Sequence, residues 1–468
     1  MRKPGFSPEL RREIFILSSQ QGDASVKRFV SVLVILFAAL SLCAQSPKYV
    51  FLFIGDGMST PQRMIADEFA RQQGHGQLTL NTLKYHATTR TCSANSLVTD
   101  SAAAATAIAC GEKTNNGRIG MDAAGTRRLE SVAEAAQKTG KKIGIITSVT
   151  INHATPAGFY AHRKSRSQYY AIGLDLIDSG FDYFGGGGVA NADDKKAPEY
   201  KGASIYKLAE QAGYKVVSTK KDLLALKPGS GKVLARGCDG SLPYAIDADG
   251  SIATLAEFTA KGIELLDNPK GFFMMIEGGA IDWCGHANEA AGNLGEVLAL
   301  DEAVRVAVKF AEKHPKETLI VVTGDHETGG MTMGFAGTGY ALYMERLANQ
   351  KCSVGKFKQK LAAAQKANPE FSFEDAKKML TADFGFQFSG KGPMVLSAKE
   401  IAQLEKAFKN NNLGNEARIV MNAKAGIGWT SGSHTALPVL TTSSGVGAEI
   451  FTGFLDNTDI AKKLKSIF

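Results

Sequence analysis

Tyr49-Val50-Phe51-Leu52-Phe53-Ile54 runs directly into Gly55-Asp56-Gly57. The six-residue apolar run is too short for an ordinary helix and suits a strand buried on both faces; the glycines let the backbone turn tightly around an aspartate. Three further apolar runs end in the same manner. Residues 143–147 lead to His153, Thr155 and Arg166. Residues 272–276 lead to Glu277, Asp282 and His286, and residues 319–323 to Gly324-Asp325-His326-Glu327. Between the runs lie helical spacings such as Val297, Leu300, Val304, Ala307, Val308 and Ala311. Strands alternating with amphipathic helices predict an α/β fold with a mainly parallel central sheet, whose ligand crevice lies at the carboxyl ends of the strands. All four runs deliver acidic or imidazole side chains to that edge.

Each residue alone has an ordinary explanation. A strand-end aspartate commonly caps a helix or closes a turn, and a single histidine is commonly a satisfied polar group. His75, His86 and His314 take that ordinary reading; His162 leans the same way. The combination weighs differently. Asp282 and His286 are four apart, so one helical turn presents both to a shared cation, whereas Cys284 lies about 200° around from Asp282 and stays out. Asp325-His326 offers adjacent oxygen and nitrogen ligands after a strand, which suits zinc. Asp56, Glu277, Asp282, His286, Asp325 and His326 together predict a metal centre.

Asp100-Ser101 precedes the alanine-rich residues 102–109, which have high helix propensity. Read alone, the pair is a helix cap. Near metal ions, a serine at a helix N-terminus is also placed to attack phosphorus as an alkoxide. No Gly-x-Ser-x-Gly elbow is present, which argues against a hydrolase triad. The glycine run at 185–188 has no P-loop lysine and reads as a flexible turn.

The full chain has 468 residues, 44% hydrophobic and 21% charged, which excludes disorder and fibrous classes. Its net charge of +8 is spread without a dense basic cluster, against a nucleic-acid partner. Residues 29–42 are apolar, with Lys27-Arg28 before them and Cys43-Ala44 after them. As a helix they reach about 21 Å, short of a bilayer core of about 30 Å. Residues 1–44 therefore read as a leader and signal peptide cut after Ala44, giving an exported periplasmic or secreted protein with no stable transmembrane span. Residues 1–25 lengthen that leader beyond need and suggest a miscalled start at Val26. Lipidation at Cys43 is the rival, opposed by bulky Leu42. The remaining Cys92, Cys110, Cys238, Cys284 and Cys352 are odd in number, so at least one thiol is unpaired.

Several segments together resemble the alkaline phosphatase family: 53–58 (FIGDGM), 99–103 (TDSAA), 110–115 (CGEKTN), 153–157 (HATPA), 276–282 (IEGGAID), 323–330 (TGDHETGG) and 433–435 (SHT). They occur in the family's order, from about Lys48 to the C-terminus, and are weakest at 331–429. The resemblance implies one catalytic domain over 45–468, helices on both sheet faces, and a helical crown-like insertion at 331–429. It implies that Asp282, His286 and His434 hold one zinc, and that Asp56, Asp325 and His326 hold a second beside the nucleophile Ser101. Asp56, Thr155 and Glu277 would hold magnesium. Arg166 falls where the family places its phosphate-binding arginine; Arg163 is a neighbour that matches no motif. The implied reaction is hydrolysis of small phosphate monoesters through phosphoserine, in a homodimer. Many bacterial members carry Asp where this chain has His153 and Lys where it has Trp283. These two are expected to modulate the reaction, weakening magnesium binding and loosening product phosphate.

Two other classes of function compete, another hydrolase of the same superfamily and a non-enzyme. A sulfatase lacks support because no Cys-x-Pro-x-Arg segment is present, and a phosphodiesterase is disfavoured by Arg166. A non-catalytic zinc-binding protein would need neither Ser101 nor Arg166.

Overall fold

Strand β1 (Tyr49–Gly55) is buried at every position, and its residues alternate between two cores. Tyr49, Phe51 and Phe53 face one cluster; Val50, Leu52 and Ile54 face the other, as the two-residue period of a strand requires. The structure, a computed structural model, describes residues 46–468. The signal peptide expected within 1–44 therefore lies outside the described residues.

Ten strands form the main sheet. In chain order they include β2 (Tyr85–Arg90), β3 (Lys142–Thr147), β4 (Tyr183–Gly186), β5 (Tyr214–Val217), β6 (Lys232–Arg236), β7 (Phe272–Gly278) and β8 (Thr318–Gly324). Two-residue strands β9 (Glu327–Thr328), β10 (Thr332–Met333), β11 (Ile427–Gly428) and β12 (His434–Thr435) lie outside it, and β13 (Val439–Gly445) and β14 (Gly453–Asp456) complete it. The order is β14-β2-β13-β8-β1-β7-β3-β4-β6-β5, parallel except where β13 runs against β8 and β2. The mainly parallel sheet expected from the apolar runs is present, with each run lengthened by one or two residues.

Register is what builds the ligand edge. Gly55 pairs with Gly278 on one side and Gly324 on the other, so the chain leaves all three central strands at one level. Thr147 pairs with Glu277, bringing β3 to nearly the same height. The 24-residue helix Ala290–Lys313 buries Val297, Leu300, Val304 and Ala307 against one sheet face. Helices bearing Ala102, Ile108, Val132 and Ala136 cover the other.

One expectation fails in this layer. The glycines at 185–188 do not form a flexible turn: all are buried, and the first two end β4. A Cβ on Gly186 would lie 1.9 Å from the Thr147 carbonyl oxygen, and one on Gly188 2.2 Å from that of Asp239. These glycines serve close backbone approach, the other use of a residue without a side chain.

The segment 331–429 is helical, as expected, with helices Val354–Ala367, Phe373–Phe384, Ala398–Lys409 and Leu413–Ala425. The first three begin at Ser353, Ser372 and Ser397, each accepting an N–H from the third helical residue. Phe357, Leu380, Phe384, Leu404 and Met421 join the core cluster that includes the long helix. Gln350 Nε2 and the Val354 amide donate to Glu289, and Asn422 Nδ2 to the Asn288 carbonyl, each within 2.8 Å. The insertion is thus anchored two or three residues beyond His286. Lys378 and Lys409 are strongly exposed, the solvated face that such lysines ordinarily form.

Candidate active site

Ser101 opens the helix Ser101–Cys110, and Asp100 is its cap, accepting the Ala103 amide at 3.0 Å. The cap reading of the pair thus holds for Asp100, and it leaves the Ser101 hydroxyl at the first helical position. Ala102 to Ala105 are fully buried, small enough for this helix to lie deep against the sheet edge. Ser101 Oγ ends 3.2 Å from His326 Nε2.

Three groups of side chains converge there. In the first, Asp282 and His286 come from the turn of helix Ala280–His286 and His434 from β12. His286 Nδ1 donates to the Gly432 carbonyl and His434 Nδ1 to that of Thr99, both at 2.8 Å. A carbonyl only accepts, so each neutral ring keeps a bare Nε2. Those two nitrogens lie 3.1 Å apart, each 3.4 Å from an Asp282 oxygen. Two lone pairs at that distance need a cation or a proton between them. The Asp282 hydrogen bond accordingly pushes His286 up to about 9.

Asp56, Asp325 and His326 form the second group, all fully buried. Asp325 Oδ1 accepts the Gly57 and His326 amides, while Asp325 Oδ2 and Asp56 Oδ1 have no hydrogen-bond partner. Each bare oxygen sits 3.3 Å from His326 Nε2. Thr328 Oγ1 donates to Asp282 and accepts from His326 Nδ1 at 3.2 Å, which again turns a bare Nε2 inward.

The third group shares Asp56, whose Oδ2 accepts from Thr155 Oγ1 at 3.2 Å, and adds Glu277. Glu277 Oε2 accepts from Thr147, and Oε1 is buried without a partner. His153 is the third member of this candidate ligand group. Its Nε2 accepts from Arg166 at 3.4 Å, so the ring hydrogen sits on Nδ1, buried and unpartnered.

Burial, then the nearby Asp325 charge, pushes Asp56 well above the usual carboxylate range. Burial lifts Asp325 to about 7 and Glu277 to about 8. Burial also holds His326 far below its ordinary value, and burial with Arg166 takes His153 down to about 4. Carboxylates crowded this way hold protons unless positive ions replace them. Orphaned oxygens, inward lone pairs and raised carboxylates all fit bound metal cations.

Arg166 reaches the same edge, its Nη1 donating to Asp100 Oδ2 at 3.2 Å. Arg163, its sequence neighbour, is committed elsewhere: it pairs with Asp175 at 2.6 Å. Trp283 sets its ring edge-on to His153, centroids 6.0 Å apart. His162 is tied to the Gly120 carbonyl and Glu134, away from the edge, and Cys284 is buried outside all three groups. Sequence reasoning missed Thr328 and Thr147 as hydrogen-bond partners, although Thr328 lay inside the motif at 323–330.

A mainly parallel sheet that brings a serine beside several candidate cation-binding groups fits a class, the metal-dependent hydrolases of α/β architecture. The chain belongs to the alkaline phosphatase family within it, whose family model matches residues 47–468. Alkaline phosphatase 3 of Bacillus subtilis strain 168 is 35% identical over 377 residues, 78% of this chain and 76% of that protein. The solved structure of a cold-active alkaline phosphatase from a psychrophilic Shewanella aligns with TM-score 0.77 and 29% identity, over 90% of this chain and 99% of its own. A His-to-Asp variant of the TAB5 alkaline phosphatase, with magnesium bound in its M3 site, aligns with TM-score 0.65 and 25% identity, over 91% and 98%. Family and fold together make this chain an alkaline phosphatase, a phosphomonoesterase with candidate metal-ligand groups.

Proposed function

We propose that this enzyme hydrolyses phosphate monoesters through a phosphoserine on Ser101, using two zinc ions and one magnesium ion. The observation that carries the proposal is Ser101 Oγ lying 3.2 Å from the inward Nε2 of His326, beside the orphaned oxygens of Asp56 and Asp325. The donor sets support the choice of metals. Asp282, His286 and His434 form one mixed oxygen and nitrogen set, and Asp56, Asp325 and His326 another, as zinc prefers. Asp56, Thr155 and Glu277 offer only oxygen, as magnesium prefers, and the TAB5 variant, a structural relative, binds magnesium in its M3 site. Bound there, the cations would supply Lewis acidity, lowering the pKa of hydroxyl and water oxygens and offsetting charge on the phosphoryl group.

The residues do the rest. The Arg166 guanidinium, steadied by Asp100, forks two hydrogen bonds onto non-bridging phosphoryl oxygens, orienting phosphorus over Ser101. Ser101 Oγ, deprotonated, attacks phosphorus opposite the ester oxygen; the P–O ester bond breaks and the leaving alcohol takes a proton from water. Water then attacks the phosphoserine opposite Oγ, and Ser101 recovers its proton as phosphate departs. Amides at the helix N-terminus favour the anionic form of Ser101 and the phosphate. A monoester has three non-bridging oxygens, so one stays free when Arg166 holds two, whereas a diester has only the two. His153 and Trp283 modulate the reaction by adding no negative charge near the magnesium group and no cation near product phosphate.

Export and dimer formation belong to the same proposal, with cleavage after Ala44 delivering the mature chain outside the cytoplasm. Among the described residues no helix is long and apolar enough to cross a membrane. The test is hydrolysis of an aryl phosphate monoester and its matched diester by the mature protein at alkaline pH, with zinc and magnesium and after chelation. Monoester turnover favoured by orders of magnitude and lost on chelation is expected. Diester preference, or no turnover by the metal-loaded protein, would sink the proposal.

A further inference from the structure

Glu327 follows two ligand-type residues in Gly-Asp-His-Glu and looks in sequence like a third. Its carboxylate is fully buried, yet it belongs to none of the three ligand groups. It faces the other way, into a set of donors. Oε1 accepts from Gln62 Nε2 at 2.7 Å and the Met331 amide at 3.1 Å. Oε2 accepts from the Gly330 amide at 3.0 Å and from the Thr435 hydroxyl. Four donors fill the four lone-pair positions of a carboxylate, leaving none for a cation.

The donors come from segments that carry metal-type ligands. Gln62 sits in helix Thr60–Gln72, just beyond Asp56, and also donates to the Thr328 carbonyl. Gly330 and Met331 follow the turn beyond His326. Thr435 is the immediate neighbour of His434. β12 is two residues long, pairs only with β9, and lies in a stretch where Gly432, Ser433, Ala436 and Leu437 are exposed. The register sets Thr435 opposite Glu327 and His434 opposite Thr328. So short a strand has little backbone pairing of its own, and beside the Gly329 amide on the Ser433 carbonyl and the His434 ring on the Thr99 carbonyl, the buried Glu327 carboxylate is the group that grips its second residue.

We infer that Glu327 is a positioning residue: through Thr435 it holds β12 so that His434 Nε2 meets Asp282 and His286. The inference rests on the proposal that these three bind zinc. Asp325 and His326 leave β8 directly, so the neighbouring group should depend on Glu327 far less.

The metal-stripped mature protein is titrated with zinc against a chromogenic chelator, and with cobalt(II) read by visible absorption. Wild type should take up two tight zinc equivalents. Glu327→Gln, which keeps the size but turns two acceptor positions into donors, should weaken one equivalent by about tenfold or more and leave the other unchanged. The surviving equivalent should match that of His286→Ala. Thr435→Val should weaken the same equivalent, and Thr435→Ser, which restores the hydroxyl, should return it to within about twofold of wild type. If Glu327→Gln does not fold, the Thr435 pair carries the test. Two unchanged equivalents in Thr435→Val, equal weakening of both, or no rescue by serine would overturn the inference alone. A wild-type chain that takes up no zinc would overturn the proposed function, and this inference with it.

Discussion

His286, His326 and His434 each commit a ring hydrogen at Nδ1 to an oxygen and turn Nε2 inward. That arrangement stores a pH dependence. In the metal-free protein Asp325, Glu277 and His286 release protons only near 7, 8 and 9, each above its unfolded value. A raised folded pKa means the folded chain holds more protons than the unfolded one, so stability falls as pH rises through that range. Above pH 7 the lowered His153 and His326 are neutral in both states and add little slope. The metal-stripped protein should therefore melt lower at pH 9 than at pH 7, by on the order of 5 °C. The zinc-loaded protein should show little change, because cations replace those protons. Equal slopes with and without metal, by calorimetry, would contradict this. His153→Asp puts a carboxylate where a neutral ring now borders Glu277 and Asp56. Magnesium should then bind at least about tenfold more tightly by equilibrium dialysis, and phosphate release should slow.

At the scale of elements, Asp100 has two tasks that substitution can separate. Asp100→Asn keeps a good helix cap but loses the charge facing Arg166; Asp100→Ala loses both. The asparagine variant should keep its melting temperature and lose about tenfold in kcat/KM, while alanine should also cost about 1 kcal/mol of stability. Unchanged kcat/KM in both would remove Asp100 from phosphate positioning. Gly186→Ala should destabilise by at least about 2 kcal/mol, since its Cβ would meet the Thr147 carbonyl and its φ is +137°. The central strands were legible because each apolar run carries its candidate ligands at its own end, and the Asp282–His286 spacing needs only one helical turn. Gly185 to Gly188 were misread because sequence cannot tell a glycine needed for flexibility from one needed for contact. Spacing alone did not separate Arg163 from Arg166, which the family resemblance favoured; the pairing of Arg163 with Asp175 is a contact that the sequence does not display. Glu327 was hidden for a related reason, since its donors lie far along the chain at Gln62 and Thr435.

Across the whole molecule, the candidate ligands run from Asp56 to His434, and the sheet that aligns them is just as dispersed. β13 lies between β8 and β2, joining β2 and β14 to the central strands. A ribosome therefore releases most of this chain before its architecture can close. Until residues 439–445 emerge, β8 presents an open edge, and the metal-type residues are scattered along an unfinished polypeptide. Nascent chains halted before Val439 should be digested by protease and should aggregate, whereas chains extended through Phe468 should resist; equal protection of both would show that the first part folds alone. For a protein read as crossing a membrane before it works, late closure has a use. Under the proposed export, the chain would stay threadable during synthesis, and its hydrolytic chemistry would be assembled only once the last strands had arrived.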